Sequence, residues 1–354
     1  MAAFRFKNVC IESFALNLPD LEVTSAELED RIAPLYQRLK IPFGTLEKLS
    51  GVSTRRLWDP MYNPSQAATT AAERALDQIG FDRDHIRAVF NCSVTRDYFE
   101  PATAAIVHSN LGIDESSISM DITNACIGFS NGIQTLATLI DQGVVKAGIV
   151  VTAENVSRII ESTIKLILET GETIERDELI KLLPTFTLGC GSVAMVLCHE
   201  SLATQDRRVL ASVSRSATQH VGLCVGNGDY YVNQRQDLNP IMHTESYEII
   251  NQASKLGGRI WKDLTEFVGW DSKEVDHIFC HQVGKQVNKS FYKGMGLPFS
   301  KEFSVYQRYG NLVSAALPSA LVTGAEEKDM QKGENVLLTA FGSGLNGIFT
   351  AIKW

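Results

Sequence analysis

The segment Asp121-Ile-Thr-Asn-Ala-Cys126-Ile-Gly-Phe-Ser-Asn-Gly132 holds the residue best suited to covalent chemistry. An extended run, 116–122, precedes it. A stretch of helical spacing, 130–142, follows, with Ile133, Leu136, Leu139 and Ile140 on one face. A cysteine at such a strand-to-helix junction lies where the first helical amides point outward. Those amides favour a thiolate and can hydrogen-bond an oxyanion. Gly128 and Ala125 are small enough to let other backbone approach. Taken alone, the stretch also fits an inert thiol in an Ala/Gly-rich turn. Two later stretches add groups of a different kind, Val275-Asp-His-Ile-Phe-Cys-His281-Gln282 and Tyr309-Gly-Asn311-Leu-Val-Ser-Ala-Ala-Leu-Pro318. Histidine and asparagine can each donate a hydrogen bond to a carbonyl oxygen. A neutral histidine donates through one nitrogen only, so a neighbour is expected to hold the other. His277 and His281 stand four apart, but the residues between them read as a strand, and no acidic third ligand lies nearby. A metal site is therefore not expected.

The elements that must carry these groups follow from pattern. Residues 8–16 alternate as a first strand. Thr24 and Ser25, followed by Glu27, open a helix running towards Leu39. Ser65 is read as the cap of an amphipathic helix over 66–79 that stops at Gly80. Residues 88–94 and 148–152 are apolar runs of strand length, the second suited to cover on both faces. A polar loop over 95–103 leads into a helix over 104–111. Residues 157–183 are charged and helical in pattern, and read either as an inserted segment over the active-site side or as a solvated face. A glycine turn, Thr187-Leu-Gly-Cys-Gly191, enters another buried strand. The second half opens with a strand at 209–213, helices at 245–256 and 261–268, and a strand at 277–280 that ends in His281. A last strand pair occupies 335–341 and 347–353. The broad order strand–helix–strand–helix–strand occurs twice, which fits two α/β halves packed together.

Composition narrows the partners. The 354 residues are 44% hydrophobic and 21% charged, with a formal net charge of −8. No basic stripe is present, so nucleic acid is not an expected partner. Seven cysteines, at 10, 92, 126, 190, 198, 224 and 280, include no C-x-x-C pair and read as reduced thiols of a cytoplasmic protein. There is no leader-like apolar stretch and no run long enough to span a bilayer, so stable membrane insertion is not expected.

The order Cys126 … His281-Gln282 … Gly310-Asn311-x-x-Ser314-Ala315, closed by Leu337-Leu-Thr-Ala-Phe-Gly-Ser-Gly344-Leu-Asn346, resembles the thiolase superfamily and, within it, the ketoacyl synthase III branch. The resemblance covers essentially the whole chain. It implies an α/β thiolase fold of two similar βαβαβαββ halves in a five-layered αβαβα architecture, here over 1–204 and 205–354, with the helical insertion near 157–183. It implies that Cys126 accepts an acyl group, that His281 and Asn311 bind a thioester carbonyl, and that the N–H groups of Cys126 and Gly344 form a second oxyanion hole. Gly51-Val-Ser-Thr-Arg55-Arg56-Leu-Trp58 resembles the family's Gly-Ile-x-x-Arg turn. There Arg55, Arg56 and Trp58 would bind a phosphate and an adenine, the alternative being a structural turn.

Glu100 departs from the branch, which usually has an aromatic residue before the Pro101-Ala segment on a loop that crosses a dimer. A glutamate there resembles the bacterial olefin-biosynthesis condensing enzymes, as do Arg55-Arg-Leu-Trp-Asp59, Arg96-Asp-Tyr-Phe-Glu-Pro101, Asn124-Ala-Cys126, Thr187-Leu-Gly-Cys-Gly191 and Gly342-Ser-Gly-Leu-Asn346. That resemblance implies non-decarboxylative Claisen condensation of two long-chain fatty acyl-CoAs to a 2-alkyl-3-oxo acid. Glu100 of the partner subunit would be the α-carbon base in a homodimer. No cofactor is implied beyond coenzyme A thioesters as substrates, and downstream hydrocarbon-pathway enzymes are implied as partners. The alternative is a decarboxylating 3-oxoacyl-carrier-protein synthase III, which makes its carbanion by losing carbon dioxide and needs no Glu100. A hydroxymethylglutaryl-CoA synthase-like reaction and an inactive scaffold subunit are further alternatives. The first places its glutamate in a different motif, and the second commonly lacks the nucleophile or its partners.

Overall fold

The computed structural model describes residues 1–226 and 240–354. Its strands in chain order are β1 (Ala2–Arg5), β2 (Val9–Asn17), β3 (Glu22–Thr24), β4 (Thr54–Arg56), β5 (Ile86–Asn91), β6 (Ile118–Asp121), β7 (Ala147–Glu154), β8 (Gly191–His199), β9 (Arg208–Ser216), β10 (Cys224–Gly226), β11 (Met242–Thr244), β12 (His277–Cys280), β13 (Asn335–Gly342) and β14 (Asn346–Lys353). One ladder runs β2-β8-β7-β5-β6 and a second β9-β14-β13-β12. The two meet where Cys10 stands opposite Arg208. In each ladder an antiparallel region gives way to a parallel pair at the far edge, β5 with β6 and β13 with β12. The expected division at 204/205 falls between β8 and β9, but β1 crosses it and pairs with β9.

Helices α1 (Ser25–Arg31), α2 (Ala33–Arg38) and α3 (Thr45–Ser50) precede α4 (Pro64–Asp77), α5 (Thr103–Asn110) and α6 (Gly128–Asp141). Next come α7 (Ser157–Thr170), α8 (Arg176–Leu182), α9 (Ser246–Val268), α10 (Lys285–Met295), α11 (Tyr306–Tyr309) and α12 (Ala316–Glu327). Alternating apolar residues and helical stripes sort them into layers. The alanine face of α4 and Val107 of α5 pack on Val89, Val151 and Val196 of the first ladder. Ile133 and Leu136 of α6, with Leu317 and Leu321 of α12, form the central core between both ladders. Leu256 and Ile260 of α9 join Phe291 and Tyr292 of α10 on the outer face of the second ladder. The result is the five-layered αβαβα arrangement of a thiolase fold. A separate cluster ties α1, α2, α7 and α8 over one end.

Several local expectations change for physical reasons. The capping box of Thr24 and Glu27 is present. The helix breaks at Ile32, and Pro34, which lacks an N–H, opens the short α2 instead. The cap of α4 is Asn63, with Pro64 in the first turn. Ser65 is turned inward, donating from N–H and hydroxyl to Asp97. Residues 245–268, read as two helices broken near Gly257-Gly258, form the single α9. The two glycines are there for contact: a Cβ on Gly258 would lie 2.5 Å from the Gly294 carbonyl oxygen of α10. Among the described residues no helix is long and apolar enough to cross a membrane.

Candidate active site

Cys126 lies in a tight turn between β6 and α6. The turn needs Ala125 in the left-handed region, at φ 45°, which costs a non-glycine residue on the order of 1–3 kcal/mol. Gly128 then lets α6 start against β5, because a Cβ there would come 2.4 Å from the Cys92 carbonyl oxygen. The first helical amides are already engaged: Ile127 N–H donates to Asn124 O (3.1 Å) and Gly128 N–H to Ala125 O (3.2 Å). Those two amides are unavailable to the thiol, which leaves burial to outweigh the Cys126 backbone hydrogen bond. Burial, reinforced by the neighbouring Cys224 and Glu154, pushes the half-buried thiol up, so the resting group is a neutral thiol.

His281 follows β12 directly and its backbone N–H donates to Thr339 O (2.9 Å). Its ring is buried, which lowers its pKa to about 4 and keeps it neutral. Contrary to expectation, Nδ1 has no hydrogen-bond partner among the described residues. Position is fixed from behind instead. Gln282 donates to Cys280 O (2.7 Å) and accepts from Val305 N–H (2.9 Å). His277 has a separate environment, Nε2 lying 2.8 Å from Glu334 Oε2.

Asn311 sits on a turn that Gly310 makes possible, at φ 71°. A Cβ on Gly310 would meet the Thr187 carbonyl oxygen at 2.6 Å. Asn311 N–H donates to Thr187 O (2.8 Å), and its Oδ1 accepts from Val313 N–H (3.0 Å). The amide is thereby oriented, and its Nδ2 hydrogens are left for a ligand oxygen.

Cys126, His281 and Asn311 all line one cavity of about 680 Å³. Its wall is largely apolar, with Ile159 of α7, Ile180 of α8, Ile249 and Ile250 of α9, and Phe291 of α10. Exposed Leu49 and Ile180 mark its opening. The 157–183 segment is thus one wall of the site. Gly342, Ser343 and Leu345 of the closing turn also line it. Gly344 does not: its α-carbon faces the Asn346 amide, 2.6 Å from where a Cβ would stand. Gly342 is the residue packed on the Cys126 backbone, a Cβ there reaching 3.3 Å from Cys126 N.

Burial corrects one of the expected nucleotide contacts, Arg55. Arg55 is fully buried and donates to Val23 O, Ser25 Oγ (2.8 Å) and Phe186 O (2.9 Å). Burial brings its pKa down to about 10. Arg56 bonds Asp20 O (3.0 Å) and pairs with Glu22 at 3.2 Å. Trp58 packs on Tyr62, with ring centroids 5.3 Å apart. None of the three lines the cavity, and Arg55 and Arg56 pin the β3–β4 pair.

Glu100 is also outside the cavity of its own chain, on an exposed loop tip with Tyr98 and Phe99, the latter 78% exposed. Both flanks of that tip are held. Thr95 bonds Glu154, Asp97 accepts from Ser65, and Asp121 accepts from Thr103 N–H (3.1 Å) and Ala104 N–H (2.8 Å). The loop is a braced projection.

Sequence reasoning missed Glu154 and Cys224, both on the cavity. Glu154 ends the apolar run of β7, and a carboxylate closing a fully buried strand was the available signal. Cys224, beside Thr244, carried none.

A cysteine, a neutral histidine and an oriented amide on one apolar cavity of a thiolase fold define a thiolase-superfamily acyltransferase. Residues 265–354 match the family described as 3-oxoacyl-[acyl-carrier-protein (ACP)] synthase III C terminal, and residues 120–171 match 3-oxoacyl-[acyl-carrier-protein (ACP)] synthase III. The chain is 33% identical to an acyl-CoA:acyl-CoA alkyltransferase of Shewanella oneidensis, over 99% of this chain and 100% of that one. It is 32% identical to the protein of the same name from Xanthomonas campestris, over 99% of each. A crystal structure of Xanthomonas campestris OleA in a cysteine-to-serine form, with bound lauric acid and lauroyl-CoA, superposes with a TM-score of 0.91 at 32% identity, covering 99% of this chain and 100% of that one. A β-ketoacyl-carrier-protein synthase III of Neisseria meningitidis matches at 27% over 83% of the chain and 85% of its own length. The chain belongs to the acyl-CoA:acyl-CoA alkyltransferase family.

Proposed function

We propose that this chain condenses two long-chain acyl-CoA molecules head to head, without decarboxylation, as a homodimer in the cytoplasm. The observation that carries the reading is the pairing of a complete acyl-transfer cavity with a braced carboxylate, Glu100, directed away from it. In the first step the Cys126 thiol attacks an acyl-CoA carbonyl. An acyl-Cys126 thioester forms, and CoA leaves as its thiol with the cysteine proton. This exchange of one thioester for another is nearly isoenergetic. The second acyl-CoA then places its carbonyl oxygen at His281 and the Asn311 amide. Glu100 of the partner subunit removes the α-proton, which is needed because no carboxylate is lost to make the carbanion. The enolate attacks the Cys126 thioester, whose oxyanion is held by Cys126 N–H and the closing glycine turn. Collapse frees Cys126 and gives a 2-alkyl-3-oxoacyl-CoA. Glu100 passes its proton to the departing Cys126 thiolate, and water, with Glu100 again as base, then cleaves that thioester to the 2-alkyl-3-oxo acid and CoA thiol.

A dimer is supported by three surface features on one side. β6 is an edge strand, Met120 on it is exposed, and Tyr98 and Phe99 project beside it. An unpaired edge next to apolar side chains is what an isologous interface covers. The decarboxylating alternative makes a different demand on substrate. Purified protein given myristoyl-CoA alone should yield the 2-alkyl-3-oxo acid or the ketone it decays to. Product appearing only when malonyl-carrier protein is added would overturn the proposal.

A further inference from the structure

Glu154 is wholly buried, lines the cavity, and has no part in the chemistry above. A glutamate is rarely so buried without work for its charge. Here its carboxylate accepts four hydrogen bonds. Val94 N–H (2.8 Å), Thr95 N–H (3.0 Å) and Thr95 Oγ1–H (3.0 Å) come from the near end of the Glu100 loop. The fourth comes from Ser314, three residues beyond Asn311. Ser314 also bonds Thr152, and Thr95 Oγ1 in turn accepts from Asn155 N–H (3.0 Å). One side chain therefore joins two segments remote in sequence, the turn carrying Asn311 and the root of the loop carrying Glu100, which on the reading above serve the two sites of the dimer.

We propose that Glu154 is a positioning residue for condensation, holding in place both the Asn311 turn of its own site and the root of the loop that carries Glu100 to the partner subunit's site. This rests on the condensation reading given above. The proposal separates the two half-reactions. Loading of Cys126 uses neither Glu100 nor a fixed loop root, whereas enolate formation needs the α-proton, the base and the Asn311 amide in one geometry. A glutamine at 154 keeps the size but turns an N–H₂ towards groups that donate, so at least one bond is lost.

Three measurements on the intact dimer test this. Glu154→Gln should slow condensation of myristoyl-CoA about 10- to 100-fold in kcat, the size of a small misplacement of reacting groups. It should slow acyl loading of Cys126, followed by intact mass, by a clearly smaller factor. Ser314→Ala should show a weaker form of the same split, and the double variant should be no slower than Glu154→Gln alone, since both remove one connection. Hydrogen exchange at the Val94 and Thr95 amides should speed up in Glu154→Gln. Equal loss in both half-reactions, additive losses in the double variant, or unchanged exchange at 94–95 would overturn the assignment. The exchange measurement involves no turnover. A wild type that forms no condensed product from acyl-CoA alone would sink the condensation reading, while altered exchange would still report the tie.

Discussion

At Cys126 the protein keeps a neutral thiol in an apolar cavity beside a neutral imidazole. Reactivity must then come from the bound thioester and its oxyanion contacts rather than from a standing thiolate. Cys126→Ser should abolish the acyl adduct seen by intact mass after incubation with acyl-CoA, because an alkoxide is far less accessible than a thiolate. An adduct on the serine variant, or on a wild-type peptide without position 126, would remove the assignment. The residues whose chemistry is intrinsic, Cys126, His281 and Asn311, were legible in sequence because type and motif travel together. Arg55 was misread for the same reason. A guanidinium suits a phosphate, but it equally suits three carbonyl and hydroxyl oxygens inside a fold, and only burial separates the two. Glu154 went unread because its partners lie about 60 and 160 residues away in the chain.

At the scale of elements, loop bracing matters most. If Glu100 is the α-carbon base, Glu100→Gln should lower condensation by roughly two to four orders of magnitude while loading of Cys126 persists. Exchange of deuterium into the α-carbon of a non-condensing acyl-CoA analogue should fall in parallel; a variant that still exchanges at the wild-type rate would return Glu100 to a solvated loop residue. Packing makes a second prediction. Gly258→Val would drive a side chain into the α10 backbone at Gly294 and should cost at least about 1–3 kcal/mol by urea denaturation, the usual range for overpacking. Strands and most helices were readable from period and apolar content. The α9 misreading arose because glycine signals both a helix break and a close helix contact, and sequence alone does not distinguish them.

Across the whole molecule, a buried and a half-buried group make stability depend on pH in opposite senses. His281 has its pKa lowered from 6.5 to about 4, so the unfolded chain binds the proton first. Its contribution is full above 6.5 and is lost as pH falls towards 4, on the order of 3 kcal/mol at about 1.4 kcal/mol per pH unit. Glu302, bonded by Asn288, has its pKa raised from 4.5 to about 7, mainly by burial. Its contribution is present below 4.5 and is lost as pH rises through 7. Glu302→Gln keeps an acceptor for Asn288 and should therefore gain stability relative to wild type at pH 8 but not at pH 4. His281→Asn should flatten the acid side of the profile. Urea midpoints across pH 4–8 check both signs.

The layered architecture was legible from the repeated strand–helix order, but the dependence of each cavity on a second subunit, proposed above, would be a property of the assembly. It is tested by mixing Cys126→Ser and Glu100→Gln proteins, each inactive in condensation, under conditions of proven subunit exchange, and measuring 2-alkyl-3-oxo acid formed from myristoyl-CoA alone. In a mixed dimer one site joins an intact Cys126 to an intact Glu100 of the partner subunit. Equal mixing should therefore restore about one quarter of wild-type activity, half the dimers being mixed with one working site of two. No restoration after exchange would contradict the shared site, and with it the claim that this enzyme makes its carbanion with a base from across the dimer.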